Sequence, residues 1–179
     1  MDTSALDAVC GPARGMELYR LGRERLLEFE LESFPDAVAL LIEARELCED
    51  RAPAHAALAD AYAHWGWRRE IVGLSSSSYY ELAYDNAARA LELAPESGDA
   101  HRAMAAALAA GPRRHPARRL EEAQAALEIN PYNGESCYEL WRARGHDPAD
   151  PLAERAIALE PGYCPVHIDL GAALTEAGR

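Results

Sequence analysis

Small and apolar residues recur along the chain at helical spacing and not at the two-residue alternation of a strand. Four segments align: 37–50, 83–96, 119–132 and 149–162. Each carries a small residue in one column, Ala44, Ala90, Ala126 and Ala156, and three positions earlier Leu41, Ala87, Ala123 or Ala153. That spacing places both columns on one helix face. Three residues further on stands Leu47, Leu93, Ile129 or Leu159, and in three copies a proline follows, Pro95, Pro131 and Pro161. Proline cannot continue a helix, so these segments are predicted to end at one common point.

A second set of amphipathic segments, 51–66, 98–111, 134–145 and 164–178, each closes on a glycine, Gly66, Gly111, Gly145 and Gly178. Glycine suits the left-handed cap of a helix end. The predicted unit is helix–turn–helix, repeated four times with a weaker copy at the start. In that copy Leu21-Gly22 opens a helix to about Glu32, and Phe34-Pro35-Asp36 starts its partner with proline in the tolerated first turn.

The pattern resembles the tetratricopeptide repeat (TPR) family. The residues that carry it are Leu58-Ala59 with Tyr62, Met104-Ala105 with Leu108, and Leu170-Gly171 with Leu174, together with the alanine columns and terminal prolines. The resemblance covers about residues 15–179. It is also similar to bacterial arrays attached to transcription regulators and Ser/Thr kinases. The resemblance implies an all-α, right-handed superhelical stack of about four and a half repeats. These are 15–51, 52–97 with an insertion at 67–77, 98–133, 134–163 and a half repeat 164–179, after an irregular or disordered segment 1–14. The repeat spacing departs from the family's unit. Trp141 stands where the family has a small residue and Arg144 where it has an apolar one, so the packing of 134–145 is the least determined part.

One helix pair cannot bury its apolar face alone, and stacking creates a continuous core with a concave side. In the resembled family the first helix of each pair lines that side. By alignment the groove-facing candidates are Tyr19, Arg23, Asp60, His64, Arg102, Tyr138, Arg142 and Ile168. Arg and Tyr are frequent binding anchors, and Arg23, Arg102 and Arg142 could receive carboxylates by forked hydrogen bonds. The same residues read equally as solvated helix positions. A family role that clamps a terminal carboxylate with Lys and Asn is not expected: the chain has no Lys.

Composition sharpens this picture. The 179 residues include 37 Ala and 22 Leu against four Val and five Ile, which favours helix over sheet. The net charge of −12 argues against a nucleic-acid binder relying on phosphate contacts. No apolar run is long enough to span a membrane, and no secretory leader is visible. Cys10, Cys48, Cys137 and Cys164 are widely spaced, so a reducing cytoplasm is the expected location.

The remaining chemistry-bearing groups are sparse. His55, His101 and His167 share a repeat column with Cys137; copies one repeat apart are too distant to share a metal, so the column reads as a packing position, with neither metal nor cofactor. Arg113-Arg114-His115-Pro116-Ala117-Arg118-Arg119 is the one strongly basic cluster. It could meet a phosphate, an acidic peptide or a membrane surface, or be a solvated turn with Arg118 reaching Glu122. In the insertion, Trp65, Trp67, Ile71, Val72 and Leu74 are expected to pack as a short helix or hook over the stack edge, or to form a lid or partner surface. Ser75–Ser78 reads as a flexible joint. Asp147-Pro148 and Asp150-Pro151 are competing helix starts.

No nucleophile, phosphate loop or acid/base pair stands out, so the expectation is a non-enzymatic scaffold that holds a peptide or protein segment in its groove. The alternative is a regulatory or ligand-sensing domain of a larger signalling or transcription-control protein. The last helix leaves Ile168 and other apolar positions without a following partner. The chain is therefore expected to be a piece of a longer array, to self-associate through this end, or to tolerate a bare face.

Overall fold

The computed structural model describes residues 13–47 and 51–178, and among them nine helices and no strand. They are α1 (Ala13–Glu28), α2 (Ser33–Leu47), α3 (Ala52–Ile71), α4 (Ser77–Leu93), α5 (Gly98–Ala107), α6 (Pro116–Ile129), α7 (Gly134–Ala143), α8 (Pro151–Leu159) and α9 (Cys164–Glu176). Consecutive helices pair as hairpins, and α3, α5 and α7 also pack on one another across the pairs. The expected irregular segment 1–14 lies outside the described residues except for Ala13 and Arg14, which begin α1.

The alanine columns act as read from the period. Leu41, Ala44, Ala87, Ala90, Ala123, Ala126, Ala153 and Ala156 are all buried. A column without bulk lets neighbouring helices approach closely and stack without gaps. The helix ends are specified locally. Ser97 and Asn133 cap α5 and α7 by accepting the Ala100 and Ser136 N–H groups, and Asp150 wins over Asp147 as the start of α8 by accepting from Leu152. The column histidines hold these turns: His101 and His167 each hydrogen-bond a proline carbonyl six residues back, Pro95 and Pro161. Among the described residues no cluster of potential metal ligands occurs, and Cys137 and Cys164 are free thiols.

Three local expectations are corrected, and one open point is resolved. The first helix begins at Ala13 and ends at Glu28, with Gly22 at its middle packed on Leu41; Phe29 stops it by turning into the left-handed region (φ 57°) so that its ring enters the core. Gly66 is no cap. It sits inside α3, where a Cβ would come within 3.2–3.3 Å of Tyr79 and Tyr80, and the helix runs on to a left-handed Gly73. The insertion is therefore not a separate hook: it lengthens α3 and α4. Trp65 and Trp67 pack on the core formed by Leu26, Phe29, Phe34 and Leu58, but Ile71, Val72 and Leu74 are exposed. Finally, Trp141 is fully buried. Helices α7 and α8 are short, with 10 and 9 residues, and the indole supplies the missing bulk while its N–H donates to the Asp147 carbonyl at 2.8 Å. Arg144 stays outside, paired with Asp150 at 3.5 Å.

Candidate functional site

Helices α1, α3, α5 and α7 are the first members of their pairs, and each sends one charged side chain to a common point. Arg23 donates to Asp60 (3.3 Å) and Glu135 (2.5 Å), and Arg102 donates to Asp60 (2.7 Å) with its second Nη 2.7 Å from Glu135. The result is an alternating square of two guanidiniums and two carboxylates with one corner on each helix. Asp60, Arg102 and Glu135 are buried, and the Arg23 side chain is 24% exposed. Tyr19 is half-buried beside this square, where burial raises its hydroxyl pKa.

The two carboxylates experience the same two arginines differently. Burial works against the charge of both. Glu135 engages a guanidinium with each oxygen, so Arg102 and Arg23 outweigh burial and hold it at about 2. Asp60 takes both partners on Oδ2 while Oδ1 has no hydrogen bond, so burial prevails and lifts it to about 6.

Beside the square the inner wall continues through aromatic contacts. His64 of α3 hydrogen-bonds Tyr163, just before α9, with Nε2 and Oη 3.2 Å apart. Burial pushes the imidazole down to about 4, so it is neutral at pH 7. Tyr138 is buried and donates to Asp169 of α9 at 2.9 Å. Arg142 lies against the Tyr138 and Trp67 rings, donates to Glu139 at 3.2 Å, and has its Nε 3.3 Å from Asp169. Glu139 also accepts from Arg119 of α6 at 3.4 Å.

Seven of the eight sequence candidates therefore lie in or beside this cluster, where the solvated reading fails: Arg23, Asp60, His64, Arg102, Tyr138 and Arg142 bond to one another or to buried neighbours, and Tyr19 lies half-buried beside the square. Ile168 is the exception: it is 37% exposed on α9, next to Asp169 in the chain. The partners Glu135, Glu139, Tyr163, Asp169 and Arg119 are missed by the repeat alignment. One signal for Glu135 is present in the sequence: Gly98-Asp99 and Gly134-Glu135 place an acid at the same helix start in two repeats.

The inner side is not filled throughout. Toward the far ends of α3, α5 and α7 a narrow cleft of about 60 Å³ lies among His64, Trp67, Tyr80, Ala106 and Arg142. It adjoins a wider cavity of about 280 Å³ bordered by Arg114, Arg119, Arg142 and His146, with Ala109 and Arg142 common to both. Among the described residues no helix is long and apolar enough to cross a membrane.

No protein-family model matches the chain, and no curated protein matches it. Solved structures do. A thermophilic TPR protein of Thermus thermophilus superposes with a TM-score of 0.62 at 17% identity over 92% of this chain and 83% of that one. YrrB, a TPR protein with an unusual peptide-binding site, gives a TM-score of 0.43 at 20% identity over 82% and 71%. The first likeness, with the all-helical repeat architecture, establishes that the chain has the TPR fold.

Proposed function

We propose that the protein is a non-catalytic interaction module that takes up a segment of a partner protein at the open mouth of its inner side, around Arg142. The asymmetry of the inner side supports this reading. One part is occupied by Arg23, Asp60, Arg102 and Glu135 bonded to one another, which leaves no trough for an extended chain along the whole array. At the other part Trp67, Tyr80, Arg119 and Arg142 border open space, and aromatic and arginine side chains are the usual anchors of interfaces. In this division of labour Arg23, Asp60 and Arg102 hold the scaffold, Arg142 meets the partner, and Tyr138 positions Arg142 together with Asp169.

A peptide-display selection on the intact chain tests this. Amide shifts caused by the selected peptides should cluster at residues 63–70, 106–119 and 142–146. Peptides that instead map to the outward faces of α2, α4 and α6 would move the interface to the convex side.

A second reading, a ligand-sensing domain of a larger protein, has one observation in its favour. Distant repeats are tied by side-chain pairs, Arg23 to Glu135 and His64 to Tyr163, so a small ligand that breaks them would change the curvature of the stack. Thermal stabilisation by a small molecule without any selected peptide favours this reading over the first.

A further inference from the structure

Three guanidiniums and one imidazole line the 280 Å³ cavity, whose other walls are small or apolar: Leu108, Ala109 and Ala143. The carboxylates facing these cations are few. Glu139 is shared by Arg119 and Arg142, and Asp169 by Arg142 and His146. Glu139 is buried, its side chain 2% exposed, whereas Asp169, 13% exposed, lines the neighbouring cavity of about 500 Å³ that shares Gly145 and His146 with this one. The Arg114 side chain makes no hydrogen bond or ion pair among the described residues. The Nε of Arg119 is buried without a hydrogen-bond partner, and so is that of Arg142, whose approach to Asp169 lacks hydrogen-bonding geometry. Three guanidiniums thus share two carboxylates around one open volume, and Arg114 brings uncommitted donors to it. Consistent with this, burial depresses the Arg119 pKa, the nearby Arg142 adds to that, and Glu139 does not fully restore it.

We infer that this cavity is a binding site for a phosphate-class oxyanion, held by Arg114, Arg119 and Arg142. Donors arrive from three separate backbone segments: the α5–α6 turn, the first turn of α6 and the end of α7. Such a set surrounds a tetrahedral group with three acceptor oxygens better than it matches a planar carboxylate. The volume is below that of an ordinary organic-ligand pocket, and suits an anionic head group and its water. The turn between α5 and α6 carries Arg113, and α6 carries Arg118, but these are committed elsewhere, to Glu81 and to Glu122 with Tyr84. Of the basic cluster, Arg114 is uncommitted, and Arg119 borders the cavity beside its long 3.4 Å contact to Glu139.

The inference deepens the reading above by naming the chemistry of the same mouth, yet the two fail separately. Inorganic phosphate is titrated into the intact chain at constant ionic strength and followed by amide shifts, with sulfate and acetate as comparisons. Saturable shifts around residues 108–119 and 142–146 are expected, strong for phosphate and sulfate and weak for acetate. Arg114→Ala removes an exposed side chain without touching the core, and should weaken phosphate by roughly tenfold. Arg119→Gln should do the same, while Arg14→Ala, far from the cavity, should change nothing. A phosphoserine tetrapeptide separates the sources: competition with free phosphate assigns the site to a group carried on a partner segment, and binding of free phosphate alone assigns it to the ion. Phosphate binding with no selected peptide would retain this site and overturn the interaction module. Absent or unsaturable shifts, or an affinity indifferent to Arg114→Ala in a folded protein, would overturn the site whatever peptides are found.

Discussion

Arg23 and Glu135 stand 112 residues apart in the chain, and their side chains meet at 2.5 Å. The contact joins the first helix to the seventh and so closes one part of the inner face of an array whose helices otherwise meet mainly their neighbours. Buried charges are costly to desolvate, and a square of two cations and two anions offsets that cost only if all four corners are present. The square also commits Arg23 and Arg102, residues of binding type, to carboxylates of neighbouring helices.

The pH response follows from opposed shifts. Asp60 is lifted to about 6 from an ordinary 3.8, so the folded chain binds a proton before the unfolded chain does. Its contribution to stability is fully present below about pH 4 and is lost as pH rises through 6. His64 is lowered to about 4 from 6.5, so the unfolded chain protonates first and stability is lost as pH falls from 6.5 to 4. Over this window the two nearly cancel. Glu135, Glu139 and Asp169 are all depressed, and their contribution disappears below the ordinary carboxylate range. Denaturant midpoints should therefore be nearly flat from about pH 7 to about 4.5 and fall below that. His64→Gln should unmask a rise on acidification, and Asp60→Asn a fall, over the same window. Identical profiles for the two variants would show that neither group titrates as its surroundings require.

The alanine columns leave no room for a larger side chain. Ala90 and Ala126 have no exposed surface, and replacing either with Leu should destabilise by about 1–3 kcal/mol through overpacking. Urea midpoints measure this directly. An unchanged midpoint would mean that the helices do not approach each other along these columns.

Two turn glycines separate backbone strain from collision. Gly111 (φ 74°) and Gly145 (φ 104°) both take conformations unfavourable to other residues. A Cβ on Gly145 meets open space, whereas one on Gly111 would lie 2.5 Å from Tyr80 Cβ. Gly145→Ala should cost roughly 1–2 kcal/mol, from conformation alone. Gly111→Ala should cost distinctly more, because the α5–α6 turn must lift off the buried Tyr80 ring. Equal losses in thermal unfolding would place Tyr80 elsewhere.

The parts of this architecture that depend on neighbours three or four residues apart are legible in the sequence. Ala87 with Ala90 and Ala123 with Ala126 fix a helix face by period alone, and Pro95, Pro131 and Pro161 follow the helix ends. Gly66 misleads because a glycine that admits the Tyr79 and Tyr80 side chains looks, in one dimension, like a glycine that ends a helix. Ile71, Val72 and Leu74 are apolar and so predicted to pack, yet two lengthened helices carry them past the stack and into solvent. The candidate site is half legible. Alignment brings Arg23, Asp60, Arg102 and Arg142 to one side, but their pairing depends on the curvature of the stack, which no local pattern encodes. Glu135 becomes visible only when α1 and α7 are placed together.

A double-mutant cycle on Arg23→Ala and Glu135→Ala, read as unfolding free energies at neutral pH, tests the closed inner face most directly. If the two side chains meet as described, the losses are strongly non-additive, with a coupling energy above about 1 kcal/mol, because the loss of their shared contact is counted in both single variants and only once in the double. Losses that add to within about 0.5 kcal/mol would place α1 and α7 out of reach of each other and leave the concave face open along its whole length.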